Sequence, residues 1–348
     1  MESTNPPLKR FKAASKNDDF YFKSYAGLDI HAEMISDSVR TNTYRLALLK
    51  NCDRLIGKVV ADIGAGTGIL SCFCVQAGAR KVYAIEASSI AKRCEEVIKS
   101  NKMENKIQVI NQRVEDVHLP EKVDVIVSEW MGYFLLYESM LNSVIYARDK
   151  FLKKNGLILP SIASIYMAPI TDAERLDEVT SLWKTMQKLY GVDMSCLAPH
   201  AHKLFTRNIH VEEFPPKNMI GFAEKIIDLD LNRITVKDLE CVKGQFSFKA
   251  MGESELTGFV AWFDVHFDCG DSGLIELSTS PSKHPTHWRQ CILYLNKSEN
   301  VEQDTTIEGT ITLAPSQIMS RFLDVEIFCK VGNRDGSVYK FAMDDNPT

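Results

Sequence analysis

The hydrophobic pattern divides the chain into two parts at Pro160. Before this point, from Lys58, short runs of β-branched residues alternate with polar stretches of helical composition, and four of the runs read KVVADIG, KVYAIEA, KIQVINQ and VDVIVSE. This alternation predicts a parallel α/β sheet, whose buried strands are almost continuously apolar. Because polar or glycine residues close the runs, we expect functional groups to collect at the carboxyl ends of the strands, where open α/β sheets bind ligands.

After Pro160 the pattern changes to alternation with a period of two. In GFVAWFDVHF one face carries Phe259, Ala261, Phe263, Val265 and Phe267. In LDVEIFCKV, every second residue from Val325 to Val331 is again apolar or cysteine. Such alternation indicates antiparallel strands with one face in a core, so we predict a sandwich or a barrel.

One segment of this second part has helical spacing instead. Its apolar residues recur three or four positions apart: Leu176, Val179, Leu182, Trp183, Met186, Leu189 and Tyr190. The segment ends at Gly191, and glycine is the usual residue just beyond a helix C-terminus. The pattern predicts a helix with one apolar stripe, which is buried either within its own domain or against a second subunit.

The composition is that of a soluble globular protein and excludes several classes. The 348 residues are 45% hydrophobic and 25% charged, which leaves room for two domains and argues against a disordered or fibrous chain. No apolar run approaches the ~20 residues of a membrane span, and the N-terminus lacks the apolar core of a secretory signal. Nine cysteines without a regular framework predict reduced thiols, and the lack of a Cys/His cluster predicts no metal site.

The net charge of −5 argues against a general nucleic-acid-binding protein, which usually has a basic excess. Only the start of the chain is locally basic, with Lys9, Arg10, Lys12 and Lys16. We predict a flexible basic tail over residues 1–19, which is either a nuclear import signal or a solvated tail with no targeting function.

The segment VVADIGAGTGIL runs from a predicted strand into Gly64, Gly66 and Gly68, directly behind Asp62. Glycines here let the backbone turn tightly and approach a ligand at a helix N-terminus. Dinucleotide enzymes use G-x-G-x-x-G for a pyrophosphate, whereas the spacing here is G-x-G-x-G. Cradling of a phosphate is therefore not the first interpretation, and the spacing weighs against an NAD-dependent dehydrogenase.

Two further acids follow the next strands. Glu86 lies at the end of KVYAIEA, where a carboxylate can accept hydrogen bonds from both hydroxyls of a ribose. Glu115 in RVED follows the third strand, where it can accept from the exocyclic amine of an adenine. An acid, the glycines and two more acids, in this order, predict a site for a nucleoside without phosphates.

A second set of acids lies in VSEWMGYFLLYES, where Glu129 and Glu138 frame an apolar and aromatic run. In one α-helix, nine steps of about 100° would place the two acids on opposite faces. Gly132 permits a bent loop instead, and a bent loop can bring both carboxylates into one pocket. Two like charges in an apolar pocket require a cation. The alternative is that each acid simply faces water from a loop.

The segments DIGAGTGIL, AIEAS and VSEWMGY resemble the motifs of class I methyltransferases, which bind S-adenosyl-L-methionine. From about Tyr21 to the C-terminus the chain is more narrowly similar to protein arginine methyltransferases, through YFKSY, DSVRTNTYR, SEWMGYFLLYES and the THW of Thr286 to Trp288. The segments YGVDMSCL, LSTSPSKHPTHW and VEQDT resemble a nuclear subfamily that produces asymmetric dimethylarginine.

This resemblance implies a domain organisation and a set of partners. Residues 20–160 are expected to form a Rossmann-like domain that binds S-adenosyl-L-methionine beneath N-terminal lid helices. Residues 161–348 are expected to form a β-barrel substrate-binding domain with a dimerisation arm at about 171–200. The implied assembly is a homodimer, and the implied substrates are arginine-containing proteins such as histones and arginine/glycine-rich proteins. The expected location is the nucleus, with the cytoplasm as an alternative, and no sequence-specific nucleic-acid binding is expected.

The resemblance also implies roles for the acids. A guanidinium is planar, always charged and rich in donors, so a carboxylate pair can grip it along two edges. Glu129 and Glu138 are expected to align the substrate arginine and to draw its charge away from one terminal nitrogen. His287 of THW, with Asp37, is expected to relay the proton that leaves after transfer. A purely structural histidine at a strand end is the alternative.

A lid is expected over Tyr21 to Tyr44, where five residues at steps of three or four predict one helical stripe of mixed polarity: His31, Met34, Asp37, Arg40 and Tyr44. By resemblance, Arg40 pairs with the methionine carboxylate of the cofactor and His31 lies beside the cofactor. Tyr21 and Tyr25 are expected to close the pocket.

Met34 and Met140 match positions that leave room on one side of the reacting nitrogen, which implies mono- and asymmetric dimethylarginine as products. Two other functions remain open: a methyltransferase for a small molecule or nucleic acid, and a non-catalytic interaction protein that has kept the fold. The acid pair weighs against the first, because a neutral hydroxyl or base does not require two buried carboxylates. The presence of every expected chemical type weighs against the second.

Overall fold

The computed structural model describes Asp18 and residues 21–344. The predicted basic tail and its import signal lie outside the described residues except for Asp18. Residues 21–24 are helical, and three helices precede the first strand: α1 (Leu28–Ser36), α2 (Ser38–Lys50) and α3 (Cys52–Leu55). Among the helices of the described residues, none has the length and apolar character needed to cross a membrane.

A five-stranded parallel sheet forms the first half, as the alternating pattern predicted. Its strands are β1 (Val59–Ile63), β2 (Lys81–Ile85), β3 (Ile107–Ile110), β4 (Val123–Val127) and β5 (Leu152–Leu159). They lie in the order β3-β2-β1-β4-β5, and every neighbouring pair is parallel. Three connecting helices are α4 (Ile69–Gln76), α5 (Ala91–Ser100) and α6 (Leu141–Phe151). The strand order reverses between β1 and β4, so their carboxyl ends border the crevice where such sheets bind ligands.

Two antiparallel sheets form the second half, which confirms the predicted β-domain after the α/β domain. Their strands are β6 (Ile162–Ile170), β7 (His210–Glu212), β8 (Glu224–Asp230), β9 (Val242–Lys249), β10 (Ser254–Asp268), β11 (Leu274–Ser278), β12 (Gln290–Val301), β13 (Thr306–Pro315), β14 (Leu323–Val331) and β15 (Ser337–Met343). The orders are β7-β12-β10-β6-β8, with β11 paired to β10, and β15-β14-β13-β9. The sheets enclose a barrel-like core in which Phe246 and Phe248 of one sheet pack on Phe259 of the other.

The long strand β10 is buried on both faces. The face predicted from the alternation, which includes Phe259 and Phe263, lies in the main core. The opposite face carries Val260 and Trp262, and it packs in a second apolar cluster with Leu176 among its partly buried members. The second cluster forms because helices of the predicted arm cover this side of the sheet.

The arm consists of α7 (Ala173–Tyr190) and α8 (Ala198–Arg207). Helix α7 ends at Gly191, which adopts the left-handed conformation that its position beyond the helix predicted. No residue of α7 is buried, and Leu182, Leu189 and Tyr190 are 54%, 60% and 75% exposed. The apolar stripe is therefore only partly covered by its own chain.

The single helical stripe predicted for the lid is wrong, because the helix is interrupted at Asp37. Asp37 has an extended backbone, and its Oδ1 accepts a hydrogen bond from the Arg40 backbone N–H at 3.0 Å, so it caps the start of α2. Tyr44, farther along α2, is fully buried, and its hydroxyl donates to the Ser128 carbonyl at 2.9 Å. The break turns α1 and α2 so that both reach the crevice of the sheet.

Candidate active site

A cavity lies beyond the carboxyl ends of the parallel strands, between the lid (residues 21–44) and the second half of the chain. Most of the residues predicted for the site line it: Tyr21, His31, Met34, Arg40, Gly64, Gly66, Glu86, Glu115, Glu129, Glu138, Met140 and His287. Two predicted residues, Asp37 and Asp62, do not line this cavity. The fold therefore brings together groups that lie far apart in the sequence.

Two glycines of the loop over residues 64–68 (the glycine loop) lie too close to neighbouring side chains to carry a Cβ atom without displacement. Gly64 and Gly66 have φ values of +74° and +55°, which favour glycine. A Cβ atom at Gly64 would lie 2.7 Å from Cε of Met140, and one at Gly66 would lie 3.1 Å from Cε1 of His31. The backbone of Gly64 and Gly66 therefore forms part of this wall of the cavity.

Glu86 joins the glycine loop to the segment after β2. Its Oε2 accepts a hydrogen bond from the Gly66 N–H at 2.9 Å, and its Oε1 accepts from the Ser88 N–H at 2.7 Å. The side chain is buried but lines the cavity. Because each carboxylate oxygen has a second lone pair, Glu86 retains the capacity to accept two hydroxyls of a ribose.

Asp62 was predicted to contact the cofactor, but the structure places it behind the glycine loop and not on the cavity wall. It is fully buried, and its Oδ2 accepts from the Ser71 hydroxyl at 2.7 Å. Burial raises the pKa of Asp62 to about 7. Its Oδ1 has no hydrogen-bond partner among the described residues. A buried oxygen of this kind requires a donor, such as a water molecule or a group of a bound ligand.

Glu115 lines the cavity, but its carboxylate already has partners. Oε1 accepts from the Ser143 hydroxyl at 2.7 Å, and Oε2 lies 3.6 Å from Nε of Arg113. These contacts hold the side chain in place. Its contact with an adenine amine stays a prediction.

The acidic loop (residues 128–140) bends as predicted, but Gly132 serves a different purpose from the one expected. Gly132 has no positive φ; instead, a Cβ atom there would lie 2.0 Å from the carbonyl oxygen of Tyr137. The left-handed backbone that makes the bend occurs at Phe134, Leu135, Glu138 and Ser139. Gly132 therefore allows two segments of the loop to pack closely against each other, while non-glycine residues make the turn.

Glu129 already has a cation as its partner. Its Oε2 accepts from Nε and Nη2 of Arg40 at 3.0 and 2.9 Å, and the two side chains are 8% and 7% exposed. Its Oε1 accepts from the Met131 N–H at 3.2 Å. The resemblance implied that Arg40 pairs with the methionine carboxylate of the cofactor, and that contact stays a prediction; the partner of Arg40 in the structure is Glu129.

Glu138 has hydroxyl partners instead of a cation. Its Oε2 accepts from the Tyr25 hydroxyl at 2.8 Å, and Tyr21 also hydrogen-bonds to its side chain. Burial raises the pKa of Glu138 to about 7, with a further contribution from the charge of Glu129; the tyrosine hydrogen bonds and Arg321 act in the opposite direction. The two acids are therefore compensated differently, one by an ion pair and the other by holding a proton part of the time at neutral pH.

His287 and Asp37 are in direct contact, as the resemblance implied. Nδ1 of His287 lies 2.7 Å from Oδ2 of Asp37, and the His287 N–H donates to the same oxygen at 3.0 Å. Burial alone would raise the pKa of Asp37, but hydrogen bonds from His287 and from the Arg40 backbone lower it. The neighbouring Trp288 donates through Nε1 to the Met131 carbonyl at 2.8 Å, which joins this segment to the acidic loop.

Arg321 was not recognised from the sequence. Its Nη1 donates to the Glu138 carbonyl at 2.7 Å, and its guanidinium carbon lies 3.9 Å from the ring centroid of Tyr21. It comes from the loop between β13 and β14, 183 residues after Glu138. No local motif marks it, because its contacts exist only once the two halves of the chain have folded together.

Comparisons with known proteins agree with the resemblance. The family described as "Arginine methyltransferase oligomerization subdomain" matches residues 161–333, and the family described as "Ribosomal protein L11 methyltransferase (PrmA)" matches residues 40–161. The protein arginine N-methyltransferase 6 of Danio rerio is 48% identical over 99% of this chain and 98% of its own length. That of Xenopus tropicalis is 48% identical over 96% and 98%.

Solved structures are similar over most of the chain. A chain of the Trypanosoma brucei PRMT1 enzyme–prozyme heterotetrameric complex with AdoHcy has a TM-score of 0.86 and 33% identity, and the match covers 92% of this chain and all of that one. A crystal structure of PRMT6 with SAH has a TM-score of 0.71 and 27% identity, over 87% of this chain and all of that one. S-adenosylmethionine is accordingly the cofactor. The cavity suits it because Gly64 and Gly66 allow a close approach of the backbone and Glu86 offers free acceptor positions.

We predict that Glu86→Gln weakens S-adenosylhomocysteine binding by about 1.5–3 kcal/mol, or roughly 10- to 150-fold in Kd, because a charged acceptor is lost. Isothermal titration calorimetry measures the change. Glu121→Gln is the matched control, because Glu121 binds Arg80 and Tyr83 away from the cavity. Equal affinity of E86Q and the wild type would remove Glu86 from the cofactor site.

Proposed function

Because this chain belongs to the protein arginine N-methyltransferase family, whose activity is the methylation of arginine in proteins, we propose that Glu129 and Glu138 together orient and polarise the substrate guanidinium. The observation that carries this proposal is the unequal compensation of the two acids. Glu129 has Arg40 as its cation, whereas Glu138 has only hydroxyl donors to its carboxylate among the described residues. Family membership also decides against a small-molecule or nucleic-acid methyltransferase.

Glu138 provides the place for one additional positive charge. A substrate guanidinium that enters the cavity favours the ionised form of Glu138, so the proton of this acid leaves as the ion pair forms. Glu129, held by Arg40, presents a second acceptor edge in a fixed position. The two carboxylates hold the charge of the guanidinium on the nitrogens they contact, which leaves the remaining terminal nitrogen more nucleophilic.

S-adenosylmethionine, when bound, supplies an electrophilic methyl group. The glycine loop and Glu86 hold the cofactor side of the cavity, and the acidic loop holds the substrate side. Alignment of the reacting groups by these rigid elements supplies much of the rate enhancement, since bound and oriented reactants avoid a large entropic cost.

His287 is suited to receive the proton that methylation releases. His287 lines the cavity, and Asp37 accepts from its ring at 2.7 Å, which orients the imidazole. Because the hydrogen bonds to Asp37 lower the pKa of that acid, Asp37 is ionised at neutral pH. We assign His287 as the proton acceptor and Asp37 as its orienting partner.

Glu138→Gln keeps the shape of the side chain but removes its charge, so we predict that turnover falls by ~10²-fold or more while cofactor affinity is retained. In the wild type, kcat/KM should fall as the pH drops through about 7, where Glu138 gains its proton, and E138Q should lack this limb. Single-turnover methylation of an arginine peptide and calorimetry on the same samples provide both measurements.

The matched control is Glu326→Gln. Glu326 lies on β14, and its exposed carboxylate pairs with Lys340 of β15. The double variant E129Q/E138Q should lose much less activity than the product of the two single losses, because the carboxylates act as a unit. Near-normal turnover of E138Q, or a parallel loss of cofactor binding, would contradict the proposed mechanism.

The product is proposed to be monomethylarginine followed by asymmetric dimethylarginine. Met34 and Met140 both line the cavity, and by family resemblance they restrict the space beside the reacting nitrogen. We predict that acid hydrolysates of a methylated peptide contain mono- and asymmetric dimethylarginine. Chromatography against synthetic standards identifies the products, with a reaction lacking enzyme as the control. Symmetric dimethylarginine in the hydrolysate would exclude this product type.

Histone tails and arginine/glycine-rich proteins in the nucleus are the proposed substrates, again by family resemblance. The acidic net charge is compatible with basic partners. Methylation of nuclear and cytoplasmic extracts, together with imaging of the full chain in cells, distinguishes a nuclear from a cytoplasmic role.

A homodimer is the proposed assembly, and the exposed part of the α7 stripe supports it. Leu182 and Leu189 are more than half exposed in the chain by itself, although they lie on the apolar stripe of the helix. The family match to an oligomerization subdomain covers this helix. A closed two-fold dimer is the usual symmetry for such an association.

The double variant Leu182→Glu/Leu189→Glu is predicted to be a monomer that binds cofactor poorly, because charges placed in an apolar interface are not compensated there. Sedimentation velocity and calorimetry measure the two effects. Phe222→Glu is the control, since Phe222 is an apolar residue outside the arm that is 79% exposed. A dimeric and fully active L182E/L189E protein would place the interface elsewhere.

A further inference from the structure

Arg321 reaches the cavity from the antiparallel domain and contacts the acid Glu138 through its backbone. The Glu138 N–H donates to the Arg321 carbonyl at 2.7 Å, and Nη1 of Arg321 donates to the Glu138 carbonyl at 2.7 Å. A neighbouring contact, from the Ser139 hydroxyl to the Ser320 carbonyl at 2.7 Å, joins the same two segments. Arg321 therefore holds both peptide groups that flank the Glu138 side chain.

Glu138 requires such support because its backbone has a φ of +76°. This conformation is sparsely populated for residues other than glycine, and it persists only where the surrounding structure imposes it. The direction of the Glu138 carboxylate follows from this backbone geometry. Only the bond from Nη1 to the Glu138 carbonyl depends on the Arg321 side chain. If this bond were lost, the loop would relax toward commoner conformations and the carboxylate would turn away from its present position.

A second route from Arg321 to the same carboxylate passes through the lid. The guanidinium carbon lies over the Tyr21 ring, 3.9 Å from its centroid, and Tyr21 hydrogen-bonds to the Glu138 side chain. Nε and Nη2 of Arg321 also bind Oδ1 of Asp18 at 3.0 and 2.6 Å. Asp18 in turn pairs with Arg113 of the cofactor domain at 2.7 Å.

We propose that Arg321 is a positioning residue for methyl transfer: it fixes the direction of the Glu138 carboxylate from the antiparallel domain and docks the start of the lid on that acid. One guanidinium uses separate nitrogens for the two tasks, Nη1 for the acidic loop and Nε with Nη2 for Asp18. The inference rests on the proposed function of Glu138. It adds that the correct geometry of this acid depends on a residue of the other domain.

The test compares Arg321→Ala and Arg321→Lys with Asp18→Asn and the control Arg233→Ala. Arg233 is an arginine of the same domain whose side chain is 89% exposed and pairs with Asp230. For each variant, the measurements are thermal stability, S-adenosylhomocysteine affinity, kcat, KM for an arginine peptide, and the pH dependence of kcat/KM.

R321A should lose ~10- to 100-fold in kcat, since a displacement of about 1 Å at a reacting group can cost 10²-fold. The acidic limb of its kcat/KM profile should move to higher pH. The charged and titratable groups that act most strongly on the Glu138 carboxyl are Tyr25, Tyr21, Glu129 and Arg321. Removing Arg321 takes away a cation that lowers the pKa of Glu138, so the proton is held more tightly.

R321K should keep the acidic limb near its wild-type position but recover only part of kcat. A lysine retains the charge, but a single ammonium cannot bind Glu138 and Asp18 with separate nitrogens or lie flat on a ring. D18N should mainly weaken cofactor affinity, with a smaller loss of kcat than R321A and an unmoved limb. R233A should match the wild type.

Wild-type kcat in a folded R321A protein, or a loss in R321A no larger than that in D18N with an unmoved limb, would overturn the inference. If R321A does not fold, R321K decides: full wild-type kcat would overturn the inference, and partial kcat with an unmoved limb would support it. Retained turnover in E138Q would instead overturn the proposed function. A collapse in E138Q without one in the Arg321 variants would overturn only the role of Arg321.

Discussion

The burial of two carboxylates in one cavity is the constraint on which the rest of this site depends. Both Glu129 and Glu138 are partly buried, so each needs its own compensation. Arg40 forms an ion pair with Glu129. The hydroxyl of Tyr25 donates to Glu138, and burial raises the pKa of this acid, so that it carries less charge while the cavity holds no substrate. The lid contributes to this arrangement by bringing Tyr21 and Tyr25 to Glu138.

The cavity is assembled from segments that belong to different parts of the fold. The parallel sheet contributes Glu86 and the acidic loop, the lid contributes Arg40 and the tyrosines, and the antiparallel domain contributes His287 and Arg321. Contacts such as Trp288 to Met131 cross between the two domains near the acids. The site therefore forms only when both domains have folded and docked, and neither domain by itself carries the complete set of groups.

Periodicity and short motifs predicted the fold well, because the burial of each strand determines the pattern of apolar residues along it. The parallel sheet, the alternation in β14 and the end of α7 at Gly191 all follow from local sequence. The glycine loop and the two acids of the acidic loop were also visible as motifs.

Three features were not predictable in this way. Asp37 caps the start of α2 and so divides the lid into two helices. The spacing of apolar residues does not reveal such a cap. Asp62 lies in β1, every residue of which is buried, so local alternation does not show whether its side chain reaches the cavity. The contacts of Arg40 and Arg321 span 89 and 183 residues, so only the folded chain shows them.

The pairing of Arg40 with Glu129 has a consequence for substrate selectivity. Because this acid already has a cation as its partner, Glu138 is left to pair with an incoming cation, and a lysine ammonium could form that pair as well as an arginine could. A compact ammonium, however, donates from one point, whereas a planar guanidinium can donate along two edges to both acids at once. Discrimination between the two side chains then depends on the shape of the donor set and not on its charge.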